Sequence, residues 1–169
     1  MRGDVLGAII CVLFAGVWGA AGAAGLPRRR RRAAMVLSAA LSAAILVALI
    51  LWPPSDPQQG TFRSRIYEIT IAAEAIPILA AIVILRRISR RDLLLPVIGL
   101  IVGLHFIGMW MTTDLPVFLA VAAAMCAFSA LSLLLARGND SGWSPRRSVA
   151  GFGCAAVLWA AGLATWLHN

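Results

Sequence analysis

The chain has 169 residues, 61% of them hydrophobic and 13% charged, with a mean hydropathy of +0.88. A soluble domain of that length needs far more polar surface, which excludes an ordinary globular protein, a disordered chain and a collagen-like chain. The formal charge is +8 and all 15 basic residues are arginine, so there is no Walker phosphate loop and no lysine Schiff base.

Apolar runs of about 20 residues match the length of helix that crosses roughly 30 Å of hydrocarbon. Six are predicted, over residues 5–26, 33–52, 66–85, 93–112, 115–136 and 148–167. The first follows Arg2 and ends at Leu26-Pro27. Its Gly22-Ala23-Ala24 stretch is like a signal-peptide cleavage region. The apolar core is longer than a signal core, however, and five arginines follow directly, so a retained helix is expected. The second run ends at Trp52-Pro53-Pro54-Ser55-Asp56-Pro57, where proline cannot continue a helix. A charged break, Arg86 to Asp92, separates the third run from the fourth. Thr113-Asp114-Leu115-Pro116 reads as a cap with a first-turn proline, and Arg137 to Gly142 as a polar loop.

Lipid offers no partner to backbone polar groups, and the alternation of a barrel strand is missing, so every span is expected to be helical. The expected fold is all-α: one polytopic domain, residues 1–169, with six transmembrane helices in a compact bundle. Twelve of the 15 arginines fall in the connections after the first, third and fifth spans. The positive-inside rule then puts those connections in the cytoplasm and both termini outside. Arg28, Arg29, Arg30, Arg31 and Arg32 form a topology anchor that could also meet anionic lipid, at roughly 1 kcal/mol per residue. No nucleic-acid module is present; the basic pI of about 11.4 comes from one membrane face.

Cys11, Cys126 and Cys154 lie in apolar runs and form neither a disulfide framework nor a zinc set. Small residues mark expected helix contacts: Ala15, Gly19 and Ala23 with Gly16 and Gly22 in the first span, Gly99 and Gly103 in the fourth, and Gly151, Ala155, Ala156 and Ala160 in the sixth. Trp52, Tyr67, Trp110 and Trp166 suit the outer head-group zone, and Trp18 and Trp159 lie deeper as packing residues.

Two ionizable residues fall inside the spans, Glu74 and His105. A charge at the bilayer centre costs about 2.5–3.5 kcal/mol on insertion scales, so such residues face the protein and pair. Glu74 lies 15 residues before Ser89 and His105 lies 16 after it. At 1.5 Å per residue both sit roughly 22–24 Å from that turn, level in the outer half of the membrane. Tyr67, Thr70, Glu74, Pro77 and Ile78 share a helix face, and Pro77 is expected to kink the helix and free the Ala73 carbonyl. His105 shares its face with Ile101, Gly108, Met109 and Thr112, while Gly99 and Gly103 point largely elsewhere. Three readings fit the pair: a proton-linked or cation-binding site, a structural pair fixing the register of two helices, or a neutral, protonated Glu74.

Leu95-Pro96-Val97-Ile98-Gly99-Leu100-Ile101-Val102-Gly103-Leu104-His105-Phe106, preceded by a helix with an intramembrane Glu, resembles a group of small, uncharacterised bacterial integral membrane proteins. Their fourth helix carries a Gly-Leu-His-Phe motif. The resemblance covers the third and fourth spans. Ile107-Gly108 stands here where a proline often follows in that pattern. It implies a multi-pass protein of the bacterial inner (plasma) membrane in which Glu74 and His105 share a polar site, and it implies no chemistry.

Two functions are carried forward. One is a small proton- or cation-linked transporter, for which a homodimer would complete the pathway. The other is a non-catalytic scaffold or partner subunit. Enzyme constellations are missing: no Gly-x-Ser-x motif with a partner His, no paired intramembrane Asp, no His-Glu-x-x-His and no Cys-x-x-Cys. No catalytic residue, metal set or cofactor is expected. A haem site would want two axial ligands, and His105 and His168, at the end of the given sequence, are its two histidines.

Overall fold

The computed structural model describes residues 3–52, 65–113, 116–135 and 143–167; side chains at 3–6, 65–71, 112–113 and 165–167 lie outside the description. The described residues form six α-helices: α1 (Gly3–Ala23), α2 (Arg28–Leu51), α3 (Arg65–Arg87), α4 (Leu94–Thr113), α5 (Pro116–Leu134) and α6 (Pro145–Leu167). A 3-10 turn, Arg91–Leu93, leads into α4. There are no strands among the described residues. Four segments are long and apolar enough to cross a membrane: Arg28–Leu51, Arg91–Met111, Pro116–Leu134 and Pro145–Ala164. The described apolar part of α1, Gly7–Ala23, is shorter.

The helix bounds correct the sequence expectation where arginines lie. The five arginines belong to the first turns of α2, not to a connection before it, because Pro27 closes the preceding turn with φ −54° and arginine favours helix. Arg86 and Arg87 complete α3, and α6 begins at Pro145, so Arg146 and Arg147 are helical. Prolines at the first positions of α5 and α6 fit because their missing N–H has no helical partner there. α3 ends in a Schellman turn. Ser89 N–H donates to the Arg86 carbonyl at 3.2 Å and Arg90 N–H to the Leu85 carbonyl at 2.8 Å, with Ser89 at φ 55°. The expected breaks after Trp52, at Asp114-Leu115 and over residues 136–142 lie outside the described residues, as does Arg63.

α6 packs against α1, α5 and α4, and α1 and α6 share the most extensive seam. α2 covers α1 from the outside, and α3 packs on α4. The main core joins Ala15 and Trp18 of α1, Phe106 and Met109 of α4, Met125 of α5, and Cys154 and Leu158 of α6. A smaller cluster holds Ala8 and Val12 of α1 against Ile45 and Leu49 of α2. Neither cluster includes an α3 residue.

Backbones approach closely where glycines fall. A Cβ on Gly151 would overlap Gly22, and one on Gly22 would lie 2.8 Å from the Phe152 nitrogen. Gly19 faces Ser38 of α2, Gly99 faces Ser129 of α5 and Gly103 faces Cys126 of α5. Ala155 is fully buried, but Ala156 and Ala160 point outward, so the small-residue face of α6 is narrower than expected.

Polarity is partly inverted. Ser38, Ser42, Ser129, Ser132 and Ser148 are buried, while Val36, Leu37, Ile76, Leu79 and Leu134 are exposed. A buried chain of hydrogen bonds ties three helices: Trp159 Nε1 donates to Ser42 Oγ at 2.9 Å, and Ser42 Oγ donates to the Val12 carbonyl at 3.1 Å. An apolar skin over a core held by small residues and serine hydrogen bonds is the pattern of helices packed in lipid.

Candidate functional site

Within residues 72–87 of α3, only Glu74, Ile78, Ala81, Ile82 and Leu85 are not exposed. Their spacing defines one helix face, and α4 is the helix that α3 packs on. Glu74 is therefore the one polar residue of the described part of that face. On α4, Gly99 and Gly103 point to α5. His105 comes two residues after Gly103 and so sits about 200° around the helix, on the other side.

The two side chains meet. His105 Nδ1 lies 3.3 Å from Glu74 Oε2, and the side chains are 9% and 17% exposed. The level depth predicted from the Ser89 turn and the contact seen across α3 and α4 describe the same pair. No other Asp, Glu, Arg or His occurs in residues 72–85 or 94–111. An acid and a base within ion-pair distance in an apolar seam can share, take up or release a proton, and a carboxylate can hold a cation. Among the described residues no group of three His, Cys, Asp or Glu side chains could hold a metal ion.

The remaining predicted residues fall as follows. Tyr67 and Thr70 lie in α3, two turns and one turn before Glu74, and their side chains are outside the described residues. α3 continues as helix through Pro77, whose side chain is exposed. Without an N–H, Pro77 leaves the Ala73 carbonyl without its helical donor, next to Glu74. His105 also makes an edge-on contact with Phe106, at 6.0 Å between ring centres, and Phe106 stacks on Phe118 of α5 at 6.2 Å. Among the described residues the pair is thus connected to the core through Phe106 of α4.

A second polar centre was not singled out in the sequence. Arg146 Nη1 donates to Asp92 Oδ2 at 2.7 Å and Arg146 Nε donates to the Leu135 carbonyl at 2.8 Å. Arg90 Nε stands 3.8 Å from Asp92 Oδ1. Ser144 N–H donates to the Gly25 carbonyl at 2.7 Å. These bonds draw the turn after α1, the turn after α3 and the end of α5 to the start of α6. The arginine-bearing ends of the helices are therefore gathered at one end of the bundle. The signal available in sequence was Asp92 itself, the one acid within the Arg86–Asp92 break.

The folded chain is an all-helical protein whose long apolar helices define the membrane-protein class. No protein-family model, no curated protein and no solved structure matches the chain. The resemblance at Gly103-Leu104-His105-Phe106 rests on those residues alone.

Proposed function

We propose that the chain is a six-span plasma-membrane protein with its arginine-rich end in the cytoplasm and both termini outside. In this reading it is a small proton- or cation-linked carrier centred on Glu74 and His105. The observation that carries it is the 3.3 Å approach of His105 Nδ1 to Glu74 Oε2 in an otherwise apolar seam. The gathering of the arginine-bearing turns at one bundle end supports the orientation. Anionic lipid at Arg28, Arg29, Arg30, Arg31 and Arg32, a homodimer and a bacterial setting belong to the same proposal.

The test is flux in proteoliposomes containing a pH-sensitive dye and a series of monovalent cations. Glu74→Gln keeps the shape and removes the ionizable oxygen, so pH-dependent flux is abolished. Unchanged flux in that variant removes Glu74 from the mechanism.

One observation favours a second reading, a scaffold or partner subunit in which the pair is structural. α3 has no residue in either core cluster, so Glu74–His105, together with the buried Ala81 and Leu85, fixes it on α4. That reading predicts no flux, co-purification with a larger complex, and tolerance of both Glu74→Gln and His105→Ala in that assembly.

A further inference from the structure

We infer that α3 is a hinged arm, latched to α4 by the Glu74–His105 pair and released when that pair binds a second proton. The inference rests on the pair being the proton-linked site proposed above and adds how the site moves.

Three features make α3 an arm. Among the described residues it packs chiefly against α4 and the 3-10 turn; its buried apolar residues are Ala81 and Leu85, and neither joins a core cluster. The opposite side is exposed along Ile76, Leu79, Val83 and Ile84. The base is fixed: Asp92, three residues after Ser89, is clamped by Arg146 of α6 at 2.7 Å. Between arm and clamp lies Ser89 at φ 55°, a left-handed residue where the chain reverses. Rotation about the 88–90 turn therefore moves α3 without moving α4. Glu74 is 15 residues from Ser89, roughly 22 Å along the helix, so a swing of about 10° displaces it by about 4 Å. That is enough to separate it from His105.

The latch depends on one proton. With one proton on the pair, the contact is either an ion pair or a hydrogen bond from the carboxyl O–H to the neutral imidazole. A second proton leaves a neutral acid facing an imidazolium whose Nδ1 carries hydrogen, and the ion pair is lost. No other titratable group faces this contact from the described residues. On α4 there is none besides His105; Cys126 of α5 lies against Gly103 and Cys154 of α6 against Gly99, on the side of α4 turned away from α3. On α3 itself Tyr67 is two turns further out, outside the described side chains.

The experiment is 19F NMR of the full chain in nanodiscs, with trifluoromethyl-phenylalanine introduced at Leu79, 61% exposed on α3. The same label at Val17, 64% exposed on α1, is the reference. On acidification, a second resonance is expected at Leu79 and not at Val17. Its population ratio changes by up to about tenfold per pH unit, as one bound proton allows. Glu74→Gln has the shape of the neutral acid and cannot form the ion pair, so it gives the open resonance wherever His105 is protonated, including where the wild-type pair is still closed. Glu74→Ala gives the open resonance at every pH. A pH-invariant Leu79 signal alongside Glu74-dependent flux overturns the arm and leaves the carrier. A pH-dependent arm without flux overturns the carrier and leaves the arm. An invariant signal without flux overturns both.

Discussion

Gly151→Ala adds one methyl group to α6 where it crosses α1. The new Cβ would overlap Gly22 Cα and N and lie 2.9 Å from the Trp18 carbonyl oxygen. All three are backbone atoms, so no rotamer change makes room, and the helices must separate. Ordinary van der Waals contact begins near 3.4 Å, so the overlap with Gly22 sets the separation needed at about 1 Å. A gap of that size forfeits roughly a quarter to a half of each contact's attraction. The loss is shared along the seam, where Val12, Ala15, Ala23, Ala150, Cys154 and Ala155 are all fully buried. Overpacking costs about 1–3 kcal/mol, and alanine's better helix preference returns up to about 1 kcal/mol. The net expectation is a loss of about 1–2 kcal/mol. The matched control is Ala156→Leu, five residues on, where the side chain is exposed and a larger apolar group meets no neighbour in the bundle.

The assay is reversible unfolding by sodium dodecyl sulfate in mixed micelles, followed by circular dichroism. Gly151→Ala is expected to lower the midpoint and Ala156→Leu to leave it within error. A wild-type midpoint for Gly151→Ala, or a larger loss for Ala156→Leu, refutes the α1–α6 backbone contact as the tightest point of the bundle.

Two further substitutions probe the arginine-bearing end. Arg146→Ala leaves Asp92 and the Leu135 carbonyl without their closest donor, with the two charged side chains 14% and 22% exposed. A loss of about 2–3 kcal/mol is expected in the same unfolding assay, reduced from a fully buried pair by the partial exposure; a loss below about 0.5 kcal/mol rejects the clamp. Ser89→Gly relieves the left-handed backbone at φ 55°. It is expected to raise stability by up to about 1 kcal/mol, the steric relief being partly offset by glycine's entropy; a drop in the unfolding midpoint counts against the Schellman turn.

Helical character was legible because the apolar runs are long and bounded by proline or arginine, and four of the described segments are long and apolar enough to cross a membrane. Boundaries were less legible where arginine sits, since arginine marks a membrane edge and also extends a helix into the head-group zone. Arg28–Arg32 begin α2, and Arg146 and Arg147 lie in the first turn of α6. The level depth of Glu74 and His105 came from counting residues about one turn. Their contact did not, because helix rotation is set by neighbours such as Ser129 and Cys126, which hold Gly99 and Gly103 against α5. Small residues flagged α1 and α6 as tightly packed but could not say that they pack on each other, nor that Ala156 and Ala160 turn away. Asp92 and Arg146 are 54 positions apart, and nothing local to either names the other.

The placement of the pair bears on how the proposed carrier would work. A site in the middle of a bundle is enclosed by several helices, and alternating access then requires halves to rock around it. Here the core of α1, α4, α5 and α6 contains Trp18, Phe106, Met125 and Leu158 packed together, and the ionizable pair lies outside it. The residues flanking Glu74 on α3 are Ala73, Ala75 and Pro77, all exposed and all small, so the seam is narrow on both sides. A bulky side chain at Ala73 or Ala75 would shield the pair, whereas alanine leaves the Glu74 side chain 17% exposed. Pro77 adds a free carbonyl at Ala73, a second acceptor beside the carboxylate. In the proposed carrier, a proton would reach Glu74 by displacement of one peripheral helix, without rearrangement of the core. In that proposal the Arg146–Asp92 clamp, at 2.7 Å, would hold α4 while α3 moves.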